Sequence, residues 1–216
     1  MTARRKRPPD DAALKKAITD TVLARAGAEG FSDALLARVG REQGVDKATL
    51  ARLFPTSVSS LIEAISESAD AEMQKRLGKL DLRSMKVRER IATAVRTRLA
   101  VLKPDKAAAR RAAAFLSLPP NLPLAARLLY KTVDSMWRAA GDTSTDFNFY
   151  TKRGILAGVW SSTLFRWLND KSVDESETEA FLAARIENVM QIERVKAELA
   201  RGFSRIFTDA TVRSDK

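Results

Sequence analysis

Residues 30–55, with the sequence GFSDALLARVGREQGVDKATLARLFP, decide the fold of this chain. Two short helical patterns flank Gly44, which stands where a turn needs a residue that tolerates positive φ. The apolar residues at helical spacing in this segment are Leu36, Val39, Val45, Leu50 and Phe54. Because these side chains can form a small common core, the segment is predicted to be a helix-turn-helix.

Apolar residues recur at helical rather than strand spacing along the whole chain, which predicts an all-α protein. The most apolar helix is expected over residues 149–168, either as a core helix or half of a dimer seam, or as a helix that lines a ligand. Ser172 and Glu175 have capping-box spacing and predict the start of another helix. Further helices are predicted at residues 10–26, 86–102, 106–117 and 121–140.

These patterns predict four parts. Residues 1–9 are expected to be a flexible basic arm, and residues 10–60 form the helix-turn-helix module. Residues 61–190 are expected to form a larger helical domain for ligand binding and dimerisation. An amphipathic helix and a tail follow over residues 191–216.

The residue types that are missing from the sequence narrow the function. The 216 residues include no cysteine and no histidine, which removes thiol nucleophiles, imidazole bases and Cys/His zinc sites. The sequence also lacks a Gly-rich phosphate loop and a Ser-x-x-Lys motif. We therefore predict that the protein is not an enzyme and that it has no catalytic residues, metal or cofactor.

The formal net charge of +11 is unevenly distributed. Residues 86–111 hold nine basic and two acidic residues, which indicates a solvated helix face or, alternatively, attraction to an anionic membrane or partner. Residues 8–60 hold seven residues of each sign, so the helix-turn-helix lacks the net positive charge that drives binding to DNA phosphates. At this end only the arm is basic, through Arg4, Arg5, Lys6 and Arg7.

Five short matches lie in register within the helix-turn-helix: Gly30-Phe31, Val39, Gly44-Val45, Thr49-Leu50 and Phe54-Pro55. With them the segment resembles the DNA-binding end of TetR-family repressors, although Ala48 and Ala51 replace a glycine and a phosphate-contacting tyrosine of that family. The resemblance implies a TetR-like fold. It also supports an alternative function, a ligand-responsive transcriptional regulator that binds DNA through Lys47, Thr49 and Arg52.

A second group of matches lies in Met136-Trp137, Ala140-Gly141-Asp142 and residues 144–153, and it continues through residues 170–186. Here the chain is similar to the ubiquinone-biosynthesis accessory family that has a TetR-like fold and binds lipid. The resemblance implies a non-catalytic homodimer that binds an isoprenoid or other long apolar lipid. Such a protein would present the lipid to a hydroxylase of the ubiquinone pathway, which is our leading hypothesis.

The resemblance also implies roles for individual residues. Partner-facing positions are expected at Met136, Asp146, Phe149, Tyr150 and Arg153. Independently of the resemblance, the helical pattern predicts an apolar cavity between the helices of residues 86–117 and 121–190, closed by Trp137, Trp160 and Leu164, that holds a long hydrophobic ligand. Changing Phe149 to Ala or Arg153 to Glu is expected to weaken a partner complex and leave the fold intact. In the alternative interpretation, Asp146 and Asn148 only cap a helix that Phe147 and Phe149 staple.

The C-terminal segment 192–207 has one apolar face and one charged face. Leu199, Phe203 and Phe207 on the apolar face are expected to contact a membrane surface reversibly, although such a helix can also pack on its own domain. The basic N-terminus is not followed by an apolar run, so a signal peptide is not expected. The protein is therefore expected in the cytoplasm, peripheral to the inner membrane.

Overall fold

Apart from the side chains of Phe147 and Asn148, the computed structural model describes residues 10–143 and 147–189. Helices account for most of these residues, and no strand occurs among them, which confirms the predicted all-α class. The helices are α1 (Asp11–Glu29), α2 (Asp33–Glu42), α3 (Lys47–Leu53), α4 (Val58–Leu77), α5 (Val87–Leu102), α6 (Lys106–Leu116), α7 (Leu122–Ala139), α8 (Phe147–Asn169) and α9 (176–189).

The chain divides into two compact units, Met1–Arg153 and Gly154–Lys216, and the division lies within α8. The domain boundaries predicted at residues 60 and 190 stay predictions. Within residues 10–143 and 147–189, no helix is both long and apolar enough to cross a membrane. The basic arm and the C-terminal residues Leu199, Phe203 and Phe207 lie outside the described residues.

Helices α2 and α3 form the predicted helix-turn-helix, and α1 shares its core in a three-helix module. Gly44 has a φ of 71°, as the turn requires, and Val45 and Leu50 pack against the buried core that contains Leu36, Val39 and Phe54. Helices α2 and α3 approach closely at Gly40, where an added Cβ would lie 3.0 Å from a methyl group of Leu50. The five core residues predicted from the sequence are therefore confirmed.

A buried polar network joins α4, α5 and α7. Arg98 donates from Nε to Asp70 Oδ1 at 2.7 Å, and the Thr132 hydroxyl lies 2.9 and 3.1 Å from the two oxygens of Asp70. All three side chains are buried. Burial raises the pKa of the Asp70 carboxyl, and the charge of Arg98 opposes that rise.

The connection between α8 and α9 differs from the sequence prediction. Instead of a capping box between Ser172 and Glu175, the Asp170 carboxylate accepts bonds from the backbone and hydroxyl groups of both Ser172 and Thr178. The capping-box prediction is wrong because Glu175 has a φ of 59°, outside the helical region, and its carboxylate accepts from Trp167 Nε1 at 2.8 Å. The bonds from Ser172, followed by those from Thr178, hold the pKa of Asp170 well below its ordinary value.

Candidate functional site

A buried arginine organises the loop between α7 and α8. Arg153 is 5% exposed and donates from Nε and Nη2 to Asp134 Oδ1, at 2.8 and 2.6 Å. Its Nη1 lies 3.2 Å from Asp142 Oδ2, and Lys152 Nζ donates to the other oxygen of Asp142 at 2.8 Å. The end of α7, the following loop and the first turns of α8 are thus tied together by two aspartates and two cations.

Aromatic rings cover both cations. The Arg153 guanidinium lies 3.4 Å from the centre of the Phe149 ring, and Phe149 meets Tyr150 edge to face at 5.2 Å. Lys152 lies over the Trp137 ring, whose Nε1 donates to the Lys152 carbonyl at 3.1 Å. These contacts fix the aromatic side chains, so the surface they form is preorganised for binding.

The five predicted partner residues have different exposures. Tyr150 is 70% exposed and Phe149 is half-buried, whereas Met136 and Arg153 are buried. Asp146 lies outside the described residues. Tyr150 and the exposed part of Phe149 are therefore accessible at the surface, while the buried Arg153 packs against the Phe149 ring.

Burial of Arg153 also corrects the expectation that Arg153→Glu leaves the fold intact. That change would place a third carboxylate beside Asp134 and Asp142, whose side chains are 15% and 4% exposed. Asp142 and Lys152 belong to the segment that carries the second sequence resemblance, but no role was predicted for them or for Asp134. The ion pairs link residues 10 to 19 positions apart, so helical spacing gave no signal for them.

The predicted lipid-lining residues are distributed over both units. Trp137 is half-buried in Met1–Arg153, and in Gly154–Lys216 Trp160 is buried while Leu164 is half-buried. Their role beside a lipid stays a prediction. A cleft of about 580 Å³ in the first unit is lined in part by Arg83, Arg90 and Arg138, so it differs from the apolar cavity that we expect for a lipid.

One face of α8 is open. Gly154, Gly158 and Ser161 are exposed, and Phe165 is 72% exposed on the same side of the helix. If a Cβ is built at Gly154 or Gly158, no atom of the described residues lies within 4 Å of it, leaving aside the neighbouring backbone of α8 itself. This face has room for a closely packed helix.

Two of the three predicted DNA-binding residues are hydrogen-bonded to acidic residues of the same module. Arg52 donates to both carboxylate oxygens of Asp11, and Thr49 is bound through its backbone N–H and its hydroxyl by Asp46, both at 2.9 Å. The hydrogen bond from Arg52 lowers the pKa of the Asp11 carboxyl, which keeps its negative charge in place. Lys47 is exposed. Helix α3 therefore offers little net positive charge to a phosphate backbone.

Comparisons with known proteins agree with the second sequence resemblance. Residues 122–193, which include the Arg153 network, match a family model described as COQ9. The chain is similar to the protein named "Ubiquinone biosynthesis protein COQ9, mitochondrial" from Bos taurus, with 35% identity over 182 residues, 84% of this chain and 56% of that protein. The proteins of the same name from Rattus norvegicus and Homo sapiens are 37% and 36% identical over 149 residues, 69% of this chain and 46% of each relative. The chain thus spans about half the length of these relatives.

The fold is also similar to a solved structure, a TetR transcriptional regulator from Nitrosomonas europaea. The TM-score is 0.64 at 20% sequence identity, and the similarity covers 81% of this chain and 96% of the regulator. This likeness confirms the TetR-like architecture and carries no information on function.

Proposed function

Because this chain belongs to the COQ9 family and has a TetR-like fold, we propose that it is a non-catalytic, lipid-binding accessory protein of ubiquinone biosynthesis. It binds an isoprenoid or other long apolar lipid and presents it to a hydroxylase of that pathway. The observation that carries the proposal is the family match over residues 122–193, which includes the whole of α7, the Arg153 network and α8.

The hydroxylase binds at the preorganised aromatic surface of Phe149 and Tyr150. An exposed aromatic side chain beside buried charges is typical of residues that contribute strongly to binding. Arg153 acts as a positioning residue, because its bonds to Asp134 and Asp142 hold the first turns of α8 against the preceding loop.

A second copy of the chain packs on the open face of α8. Gly154 and Gly158 allow two helix backbones to approach closely, and Phe165 supplies apolar area beside them. Gly158→Leu or Phe165→Glu should convert the dimer to a monomer in light scattering. Val173→Glu, at a position that is 81% exposed outside α8, is the control and should leave the dimer intact.

Mass spectrometry of lipid extracted from the protein, purified from its own host, tests the proposed function. We expect an isoprenoid or quinone precursor at near-stoichiometric amount. The control is an unrelated helical protein from the same cells, carried through the same purification. A chain that repeatedly purifies without any long apolar ligand would contradict lipid binding.

A DNA-binding regulator is the second candidate function. The helix-turn-helix register, the polar residues of α3 and the basic arm favour it, whereas the Arg52–Asp11 pair and the neutral module argue against it. The relatives named above are mitochondrial by name. For this chain a cytoplasmic position peripheral to the inner membrane stays our proposal.

A further inference from the structure

The turn between α6 and α7 forms an apolar corner without charge. Residues 115–126, FLSLPPNLPLAA, contain no charged residue in a chain that is 30% charged. Leu118 and Leu122 are each 52% exposed, and the three prolines of the segment are exposed beside them. Neighbouring exposed apolar residues of this kind often mark an interaction surface.

The inner side of the corner is anchored in the protein. Phe115, Leu116 and Leu124 pack against a buried cluster that contains Val58 and Leu128. The leucines at positions 118 and 122 are therefore held outwards on a fixed support. Their exposure is a property of the packed structure.

The hydrogen-bond donors of the corner are already bonded within the protein. Asn121 Nδ2 donates to the Phe115 carbonyl at 2.8 Å, and the backbone N–H of Asn121 donates to the Leu118 carbonyl at 2.9 Å. The Ser117 hydroxyl donates to the Ala114 carbonyl at 2.8 Å. The three prolines carry no N–H group at all. These donor groups therefore keep their hydrogen bonds when the corner moves out of water.

Basic residues lie behind the apolar tip on both helices. Arg111 precedes the last residue of α6 by five positions, and Arg127 follows the first residue of α7 by five, so each lies about 7 to 8 Å behind the tip along its helix. Both are exposed, and Arg127 also bonds to Glu63 at 2.9 Å. Residues 106–133 contain no acidic residue. This depth matches that of an apolar element that enters a bilayer interface, with cations at the level of the headgroups.

We propose that the corner of residues 115–126 inserts into the interface of an anionic bilayer. Leu118 and Leu122 enter the region between the headgroups and acyl chains, and Arg111 and Arg127 contact the phosphates. Insertion of the corner is independent of the proposed role in ubiquinone biosynthesis. All residues of the corner belong to the first unit, so its insertion is also separate from any membrane contact of residues 192–207.

The absence of cysteine allows a direct test, since a single introduced thiol can be labelled with an environment-sensitive fluorophore. Leu118→Cys and Leu122→Cys carry the probe in the full chain, and Leu80→Cys, at a leucine that is 46% exposed between α4 and α5, is the matched control. With vesicles of phosphatidylcholine and phosphatidylglycerol, we expect a blue shift and quenching by acyl-chain-labelled lipid at positions 118 and 122, and neither at 80.

A second pair of variants measures the contribution of the corner to binding. Leu118→Glu with Leu122→Glu should weaken vesicle partition by at least about tenfold, whereas Leu80→Glu should leave it within about twofold. Both sites are exposed, so the variants are expected to stay folded, which circular dichroism checks.

Several outcomes would overturn the proposal. The first is that the wild type does not bind anionic vesicles. The second is that the protein binds but the fluorophore at position 118 shows neither a blue shift nor quenching, which would assign the contact to another segment such as residues 192–207. A blue shift at position 80 equal to that at 118 would show that the contact is not specific to the corner. A shift at 118 that grows with protein concentration without vesicles would assign the surface to a second copy.

Discussion

Arg153 and Arg138 bind opposite oxygens of one carboxylate, that of Asp134. Arg153 is buried and makes two bonds to Oδ1, at 2.8 and 2.6 Å, whereas Arg138 is 70% exposed and makes one bond to Oδ2, at 2.7 Å. The same acid therefore has one cation inside the protein and one in solvent. This arrangement allows the contributions of the two cations to be compared directly.

Arg153→Ala should lower the free energy of unfolding by about 3 to 5 kcal/mol, because Asp134 and Asp142 lose a buried cation. Arg138→Ala should lower it by less than about 1 kcal/mol, because its pair is exposed to water. Urea unfolding followed by circular dichroism measures both. Equal effects of the two changes would mean that Arg153 does not hold the loop.

Asp170 should make the free energy of unfolding depend on pH in the acidic range. Its pKa is lowered in the folded state, so its contribution is complete above the unfolded pKa of about 3.9 and decreases as the pH falls further. The stability difference between wild type and Asp170→Asn should be constant above about pH 5 and should shrink below about pH 4. Urea midpoints at several pH values measure this difference.

Glu187→Gln, which removes a carboxylate at an exposed position of α9, is the control for the loss of a negative charge in that comparison. If the difference caused by Asp170→Asn instead grew as the pH fell, the bonds from Ser172 and Thr178 would not stabilise the ionised carboxylate.

Tyr150→Ala should weaken the complex with a ubiquinone-pathway hydroxylase by about tenfold or more, since exposed aromatic residues at interface centres contribute more than 1 kcal/mol. Phe149→Ala should weaken it as well, and it removes the ring under Arg153. Tyr130→Ala, at an exposed aromatic residue of α7, is the control. Binding is measured by surface plasmon resonance and folding by thermal melts. Unchanged affinity with both Tyr150→Ala and Phe149→Ala would reject the proposed surface.

DNA binding should be weak, independent of sequence and dependent on the basic arm. Removing residues 1–9 should abolish it at physiological salt, because the remaining module has no net charge. Fluorescence anisotropy with random and genomic duplexes measures the affinity. A nanomolar site that survives the deletion would favour the regulator over the accessory protein.

Sequence patterns predicted the local features of this fold well. The turn at Gly44 and the core around Val39 follow from backbone conformation and helical spacing, both of which act within a few residues. The burial of Arg153 could not be predicted in this way. It depends on Asp134 and Asp142, which the fold brings together from another helix and a loop. The Ser172–Glu175 spacing was misleading because Asp170 competes for the same helix start and binds Thr178.

The Asp70–Arg98–Thr132 network restricts how this sequence can diverge. A single change at Asp70 would leave a buried guanidinium without its counter-charge and cost about 3 to 5 kcal/mol, a large share of the stability of an ordinary domain. Replacing both charges with apolar side chains of similar volume would avoid that penalty. Relatives that have lost one member of the pair should therefore carry a compensating substitution at the other. Evolutionary change at these positions of α4 and α5 is expected to be correlated.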